Sequence, residues 1–231
     1  MLTGILYPTS GDVKVLGFIP NKDRIKLSYQ IGSVFGQKEQ LWVHLSALEN
    51  FKFFGSIYDI KKDELAKRID ELSTIFEIKE FMNQPVKSLS LGQRMKCEMV
   101  ASLLHNPKML FFDEPTIGLD PIAKETLRKL IKKINKELGT TILFTSHDVG
   151  DIEEVCKRVI IINDGKIVLD DSMRNLKYHY LNKKIVEVNL KKDIKIKETD
   201  GIKVLKAKVH PLLFCSYQLQ FYIMYLLLLI L

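Results

Sequence analysis

Two adjacent carboxylates, Asp113 and Glu114, close the apolar run Met109-Leu110-Phe111-Phe112, and Pro115 follows at once. In a parallel strand covered on both faces, such a run sets its acids at the carboxyl end, where open α/β sheets bind ligands. That is a place for Mg²⁺ and a reacting phosphate; a buried strand with a polar end is the plainer alternative. Other polar groups fall at similar places. Gln37 comes directly after the apolar strand Ile31–Phe35 and Gly36, where an amide can reach a ligand. His147 follows the β-branched run Thr140–Thr145, although a histidine there can equally cap the next helix. In Leu89-Ser90-Leu91-Gly92-Gln93 the serine is a helix cap, and Gly92 lets the backbone of the first turn approach an anion. Asp120 caps a further helix that begins with Pro121.

The elements that must position these groups alternate along the chain. Met1–Tyr7 reads as the last turns of an apolar helix closed by Pro8 and a turn, and Asp12–Leu16 as a short strand ending at Gly17. From Leu41 to Asn83 the character is helical, with Leu65, Ile69, Leu72 and Phe76 on one face. The segment Leu45–Tyr58 holds Phe51, Phe53, Phe54, Ile57 and Tyr58, more aromatic than one buried stripe needs. It is either a core helix or a docking surface for a partner helix. After Asp120, Ile122, Leu127, Leu130, Ile131, Ile134 and Leu138 are expected to face the core until Gly139 ends the helix. Asn163-Asp164-Gly165 marks a hairpin between Val159–Ile162 and Lys166–Leu169, and Ser172 opens a short helix.

The 231 residues are 46% hydrophobic and 27% charged, an ordinary globular balance. Three scattered cysteines form no CxxC pair, so neither a zinc ribbon nor a disulfide framework is suggested. The net charge of +7 sits mainly between Lys183 and Lys208, where nine lysines face four acids. Without interleaved aromatics or a groove-reading motif, that stretch reads as a solvated face, and no nucleic-acid partner is expected. Alternation from Ile185 onwards predicts a separate small β unit over 181–210. Leu212–Leu231 is apolar apart from one serine and two glutamines. Its length could just span a bilayer, but the glutamines would be costly in lipid.

Taken in order, these motifs resemble those of the ATP-binding cassette (ABC) transporter ATPases over about Leu2–Leu176. Leu89–Gln93 is similar to the signature motif, with Leu91 where the commonest form has glycine. Met109–Asp113 resembles the Walker B strand, Glu114 the catalytic glutamate, Gly118-Leu119-Asp120 the D-loop, His147 the switch histidine and Gln37 the Q-loop. Within the family, Leu-Tyr-Pro-Thr-Ser-Gly, Val-Phe-Gly-Gln and the β appendage look like exporters of drugs, antibiotics or ions.

The resemblance implies an α/β fold: a P-loop NTPase-like parallel sheet core with an inserted helical subdomain at about 41–105. It divides the chain into an ATPase core over 1–180, the β appendage, and the tail 211–231. It implies ATP and Mg²⁺ as ligands, with Asp113 and Gln37 on the metal, Glu114 polarising the attacking water, and His147 on the γ-phosphate. Ser90, Gly92, Gln93 and Asp120 would serve a nucleotide held by a second, head-to-tail protomer. A membrane-spanning permease is the other implied partner, which places the chain peripherally at the cytoplasmic face of the cell membrane.

The family also needs a Gly-x-x-x-x-Gly-Lys-Ser/Thr loop to cradle the β- and γ-phosphates, and the 231 residues contain none. The resemblance therefore implies an incomplete N-terminal part, broken off before the end of the first core helix and lacking a central strand. The ATPase would then be inactive alone, or a non-hydrolytic subunit lending its signature motif to an intact protomer. The tail would fit a shifted reading frame or disorder.

Overall fold

The computed structural model describes residues 1–36 and 38–179 and the segment Leu226–Ile230. Strands β1 (Ile31–Phe35), β2 (Met109–Asp113) and β3 (Thr141–Thr145) run parallel and in register, with Phe35, Asp113 and Thr145 level at their carboxyl ends. The period of two divides their side chains between two cores. Val34, Leu110, Phe112, Ile142 and Phe144 point into the main one. Ile31, Phe111 and Leu143 point to the other side, where Val15 and Leu27 of helix α1 (Arg24–Ser28) cover them. Burying residues such as Phe112 and Phe144 is worth about 1.5–3 kcal/mol each, which fixes the register and with it the height of the acids.

The main core is roofed by helices. Ser46 and Glu49 form a capping box on α2 (Ala47–Ile57), and α3 (Lys62–Ile75) buries Leu65, Ile69 and Leu72, with Phe76 just beyond it, as their spacing predicts. A turn of 3-10 helix at Val86–Ser88 leads into α4 (Leu91–Leu103), and α5 (Pro121–Leu138) ends at Gly139 in the left-handed conformation. The aromatic segment divides between its two readings: Phe51 is fully buried, whereas Phe53 and Ile57 are exposed. After β3, helix α6 (Val149–Val155) returns to the hairpin β4 (Arg158–Asn163) and β5 (Lys166–Ser172), and α7 (Met173–His179) follows. Asp164 and Gly165 both take positive φ in the hairpin turn, the tight two-residue geometry that Asn-Asp-Gly favours.

Three expectations need correction. Met1–Tyr7 is a succession of turns, with Gly4 at φ 77° and its N–H bonded to Met1 O, so seven residues interrupted by a glycine do not sustain a helix. Asp12–Leu16 yields one antiparallel rung, Val15 with Phe18, because Leu16 and Gly17 turn the chain back at positive φ. Ile122 is 79% exposed, because it stands in the first turn of α5, ahead of the part that crosses the sheet. The segment Leu226–Ile230 forms strand β6, antiparallel to β3 on one side and to β4 on the other, giving the order β1-β2-β3-β6-β4-β5. An unbroken run of Leu and Ile suits a strand flanked on both edges. The expected β unit at 181–210 lies outside the described residues. No described helix is long and apolar enough to cross a membrane.

Candidate functional site

Parallel strands of equal length bring Asp113 opposite Thr145. The Thr145 hydroxyl donates to Asp113 Oδ1 at 2.7 Å and itself accepts from the Glu114 amide at 3.0 Å; that amide also points at Thr145 O, 3.1 Å away. One residue therefore orients both acids. The chain leaves β2 abruptly, since Glu114 sits at φ 51°. Such a conformation in a non-glycine residue costs roughly 1–3 kcal/mol and persists only where neighbours over-determine it. The turn carries the Glu114 carboxylate to His147, whose Nδ1 is 2.6 Å from Glu114 Oε2. With Nδ1 donating, Nε2 is left to face outward, and the ring is 63% exposed and open to a ligand.

Beneath this trio lies a buried anchor that the sequence did not announce. Asp151 is fully buried and accepts from Thr116 Oγ1, from Ser146 Oγ at 3.1 Å and from Arg128 Nε at 2.6 Å. It thus fastens the loop after Glu114, the residue before His147 and helix α5 to one carboxylate. Next to it, burial works to raise the Asp148 carboxyl, but the Lys124 ammonium at 2.8 Å, the Gly150 amide and Arg128 outweigh it and hold it below the ordinary range. A parallel sheet with polar strand ends was the available signal for Thr145. The links to Asp151 join residues far apart in sequence and left no pattern.

Gln37 lies outside the described residues, but its flanks are fixed. Gly36 N donates to Asp113 O at 2.9 Å, and a Cβ at Gly36 would come within 2.0 Å of Glu114 O, so only glycine allows that approach. On the far side, Gln40 N and Leu41 N both donate to Glu98 Oε1 of α4, at 2.9 and 3.1 Å. Burial pushes the Glu98 carboxyl above its usual value against these two bonds, and the residue is 5% exposed. Arg94, one turn earlier on α4, pairs with Glu39. The segment around Gln37 is thereby pinned to the acids at one end and to the helix behind Ser90 at the other.

Ser90, Gly92, Gln93 and Asp120 form a second group. Ser90 and Gln93 make a capping box, Asp120 Oδ1 accepts from Ile122 N and Ala123 N at 3.0 Å, and all four residues line one open groove with Lys96 and Ile122. Among the described residues no hydrogen bond joins this group to Asp113, Glu114 and His147, so the predicted residues fall into two sets. A larger recess is lined by Lys132, Asn135, Lys136, Gly139, Thr141, Val155 and Lys157, and it contains none of them.

Asp113 fits a hydrated divalent cation: it is exposed at the sheet edge, and the Thr145 bond occupies only one of its two oxygens. Among the described residues no three acids, histidines or cysteines gather as a closed cage. Mg²⁺ is commonly held by one or two carboxylates with the remaining ligands from water and substrate.

The family described as ABC transporter matches residues 1–117. The chain is similar to the ABC transporter ATP-binding protein NatA of Bacillus subtilis, 33% identical over 176 residues, 76% of this chain and 71% of that protein. It is also similar to the linearmycin resistance ATP-binding protein LnrL of the same organism, 32% identical over 73% of this chain and 53% of that one. Among solved structures, cbiO1 of Clostridium perfringens, part of the ABC transporter complex cbiONQ, superposes with a TM-score of 0.69. There the identity is 28%, over 78% of this chain and 77% of that chain.

Proposed function

The chain belongs to the ABC transporter family, and on that premise we propose that it is the ATP-binding subunit of an exporter-type transport system, acting at the cytoplasmic face of a membrane. The observation that carries the reading is the Glu114–His147 pair beside an Asp113 oriented by Thr145. In this assignment Asp113, with Gln37, holds Mg²⁺, which supplies charge neutralisation at the phosphates when bound. Glu114 accepts the proton of the attacking water, and His147 keeps that carboxylate in place while presenting Nε2 to the γ-phosphate. Ser90, Gly92, Gln93 and Asp120 serve a nucleotide on the opposite protomer of a head-to-tail dimer, and their open groove favours that role.

The partners proposed are a membrane-spanning permease and a second ATPase protomer, with no nucleic acid. Trp42 and Phe53, exposed and with ring centroids 4.9 Å apart, offer the permease an aromatic surface. The export direction is supported by the kinship with LnrL, whose name assigns that protein to linearmycin resistance. The chain spans about half of LnrL, and the activity of a whole transporter is part of this proposal.

The 231 residues contain no phosphate-cradling Gly-x-x-x-x-Gly-Lys-Ser/Thr run. We therefore expect weak nucleotide binding by the chain alone, and hydrolysis only when its signature groove meets an intact protomer. Titration with a fluorescent ATP analogue, with and without Mg²⁺, tests the first point. Tight Mg²⁺-dependent binding by the isolated chain would overturn it. Phosphate release on mixing with an intact protomer tests the second, and a mixture no faster than the intact protomer alone would exclude the lending role.

A further inference from the structure

We propose that Tyr58 and His105 form an acid-sensitive latch that holds the helical pair α2 and α3 against the amino end of the parallel sheet. The contact lies at the end of the sheet away from Asp113 and does not depend on the nucleotide reading. The two rings are stacked, with centroids 3.9 Å apart and planes 6° from parallel. Tyr29 meets Tyr58 edge-on at 5.8 Å. Because Tyr29 follows α1, Tyr58 ends α2 and His105 comes just after α4, the cluster joins three elements. His105 Nε2 lies 2.9 Å from Ile31 O, which ties it to β1 as well. A carbonyl only accepts, so that bond assigns the ring proton to Nε2 and leaves Nδ1 an acceptor.

Nδ1 is buried and has no hydrogen-bond partner among the described residues. On the α3 side stands Arg68, whose guanidinium donates to Asn106 Oδ1 at 2.7 Å and reaches Leu103 O at 3.4 Å, while its Nε is also buried and unpartnered. Arg68 can only donate, and Tyr58 and Tyr29 bring phenols but no carboxylate. β1 has no charged residue. The charged residues of α4 have other partners: Arg94 pairs with Glu39, Lys96 with Glu77, and Glu98 accepts from Gln40 N and Leu41 N.

Protonation would therefore give Nδ1 a hydrogen without an acceptor and set a second cation near Arg68. Attraction of that cation to the Tyr58 face offsets part of the cost but meets no hydrogen bond. Burial above all, with Arg68 adding to it, holds the His105 imidazole below its ordinary value of 6.5 against the Ile31 bond. A histidine lowered on folding contributes stability that is present above its unfolded value and is lost as pH falls through the folded one. The latch is thus closed at neutral pH and opens in acid. Opening frees α2 and α3 from the start of β1 and leaves the pairing of β2 with β3 untouched.

Hydrogen exchange on the full chain, at neutral pH and near pH 5 with intrinsic rates corrected, tests this. Peptides covering 54–75 should exchange about fivefold faster in acid, while those covering 109–113 and 141–145 should change far less. His105→Gln has an amide that can donate to Ile31 O but gains no proton, and it should abolish the acid response. Tyr58→Leu removes the stack and should give fast exchange of 54–75 at both pH values. Imidazole NMR of the unmodified chain, which needs no variant to fold, should show His105 with its proton on Nε2 and a midpoint below 6.5. A midpoint at or above that value, the same exchange of 54–75 at both pH values in the unmodified chain, or an undiminished acid response in His105→Gln overturns the proposal.

Discussion

Thr145 shows how little chemistry is needed to aim two acids: one hydroxyl donates to Asp113 and accepts from the Glu114 amide. Thr145→Val keeps the β-branched shape and removes only those bonds. It should cost about 1 kcal/mol in urea denaturation, the net worth of a hydrogen bond, while lowering Mg²⁺ affinity if Asp113 holds the ion. Glu98 makes a sharper case. Its folded-state carboxyl lies above the ordinary value because burial disfavours the charge. A carboxyl raised on folding contributes stability that is fully present below its unfolded value, near pH 4.5, and is lost as pH rises through the folded one. Glu98→Gln retains an oxygen for Gln40 N and Leu41 N but has no proton to lose. From pH 4 upward, stability should then fall in the parent chain relative to the variant, on top of the pH dependence both share through groups such as Asp148. A parallel decline in both would show that Glu98 is not the titrating group.

At the scale of elements, β1, β2 and β3 were legible in the sequence as apolar runs that give way to Gly36-Gln37, Asp113 and Thr145, while their level ends come from the pairing register. So was the α3 face of Leu65, Ile69, Leu72 and Phe76. The first thirty residues were not, since turns built on Gly4, Leu16 and Gly17 leave no period to read. Nor was the Asp151 hub, which exists only once α5, α6 and the loop after Glu114 have packed. Removing one partner of a buried ion pair leaves the other uncompensated, so Asp151→Ala should cost about 3–5 kcal/mol, read as a lower denaturation midpoint. The cap of α4 separates structure from function. Ser90→Asp keeps a capping oxygen and should leave the thermal midpoint within a few degrees, yet its charge should repel a partner's phosphate. Stimulation of an intact protomer should then disappear, and retention of it would remove Ser90 from the nucleotide role.

For the whole molecule, the central place between β3 and β4 is held by β6. Sequence order could not reveal that, because the strand comes from the far end of the chain. The single tryptophan gives an assembly test. Trp42 is 57% exposed, so its emission should shift to the blue on docking with a permease, and Trp42→Glu should abolish co-purification without lowering the melting temperature. The contact between Gly36 and Glu114 has another kind of consequence. It is made by main-chain atoms alone, with no room for a methyl group. Replacing side chains one at a time by alanine would find nothing to delete there. Gly36→Ala would instead wedge the two loops apart, so a contact that orders the flank of the acids lies in the backbone and is visible only to mutations that add atoms.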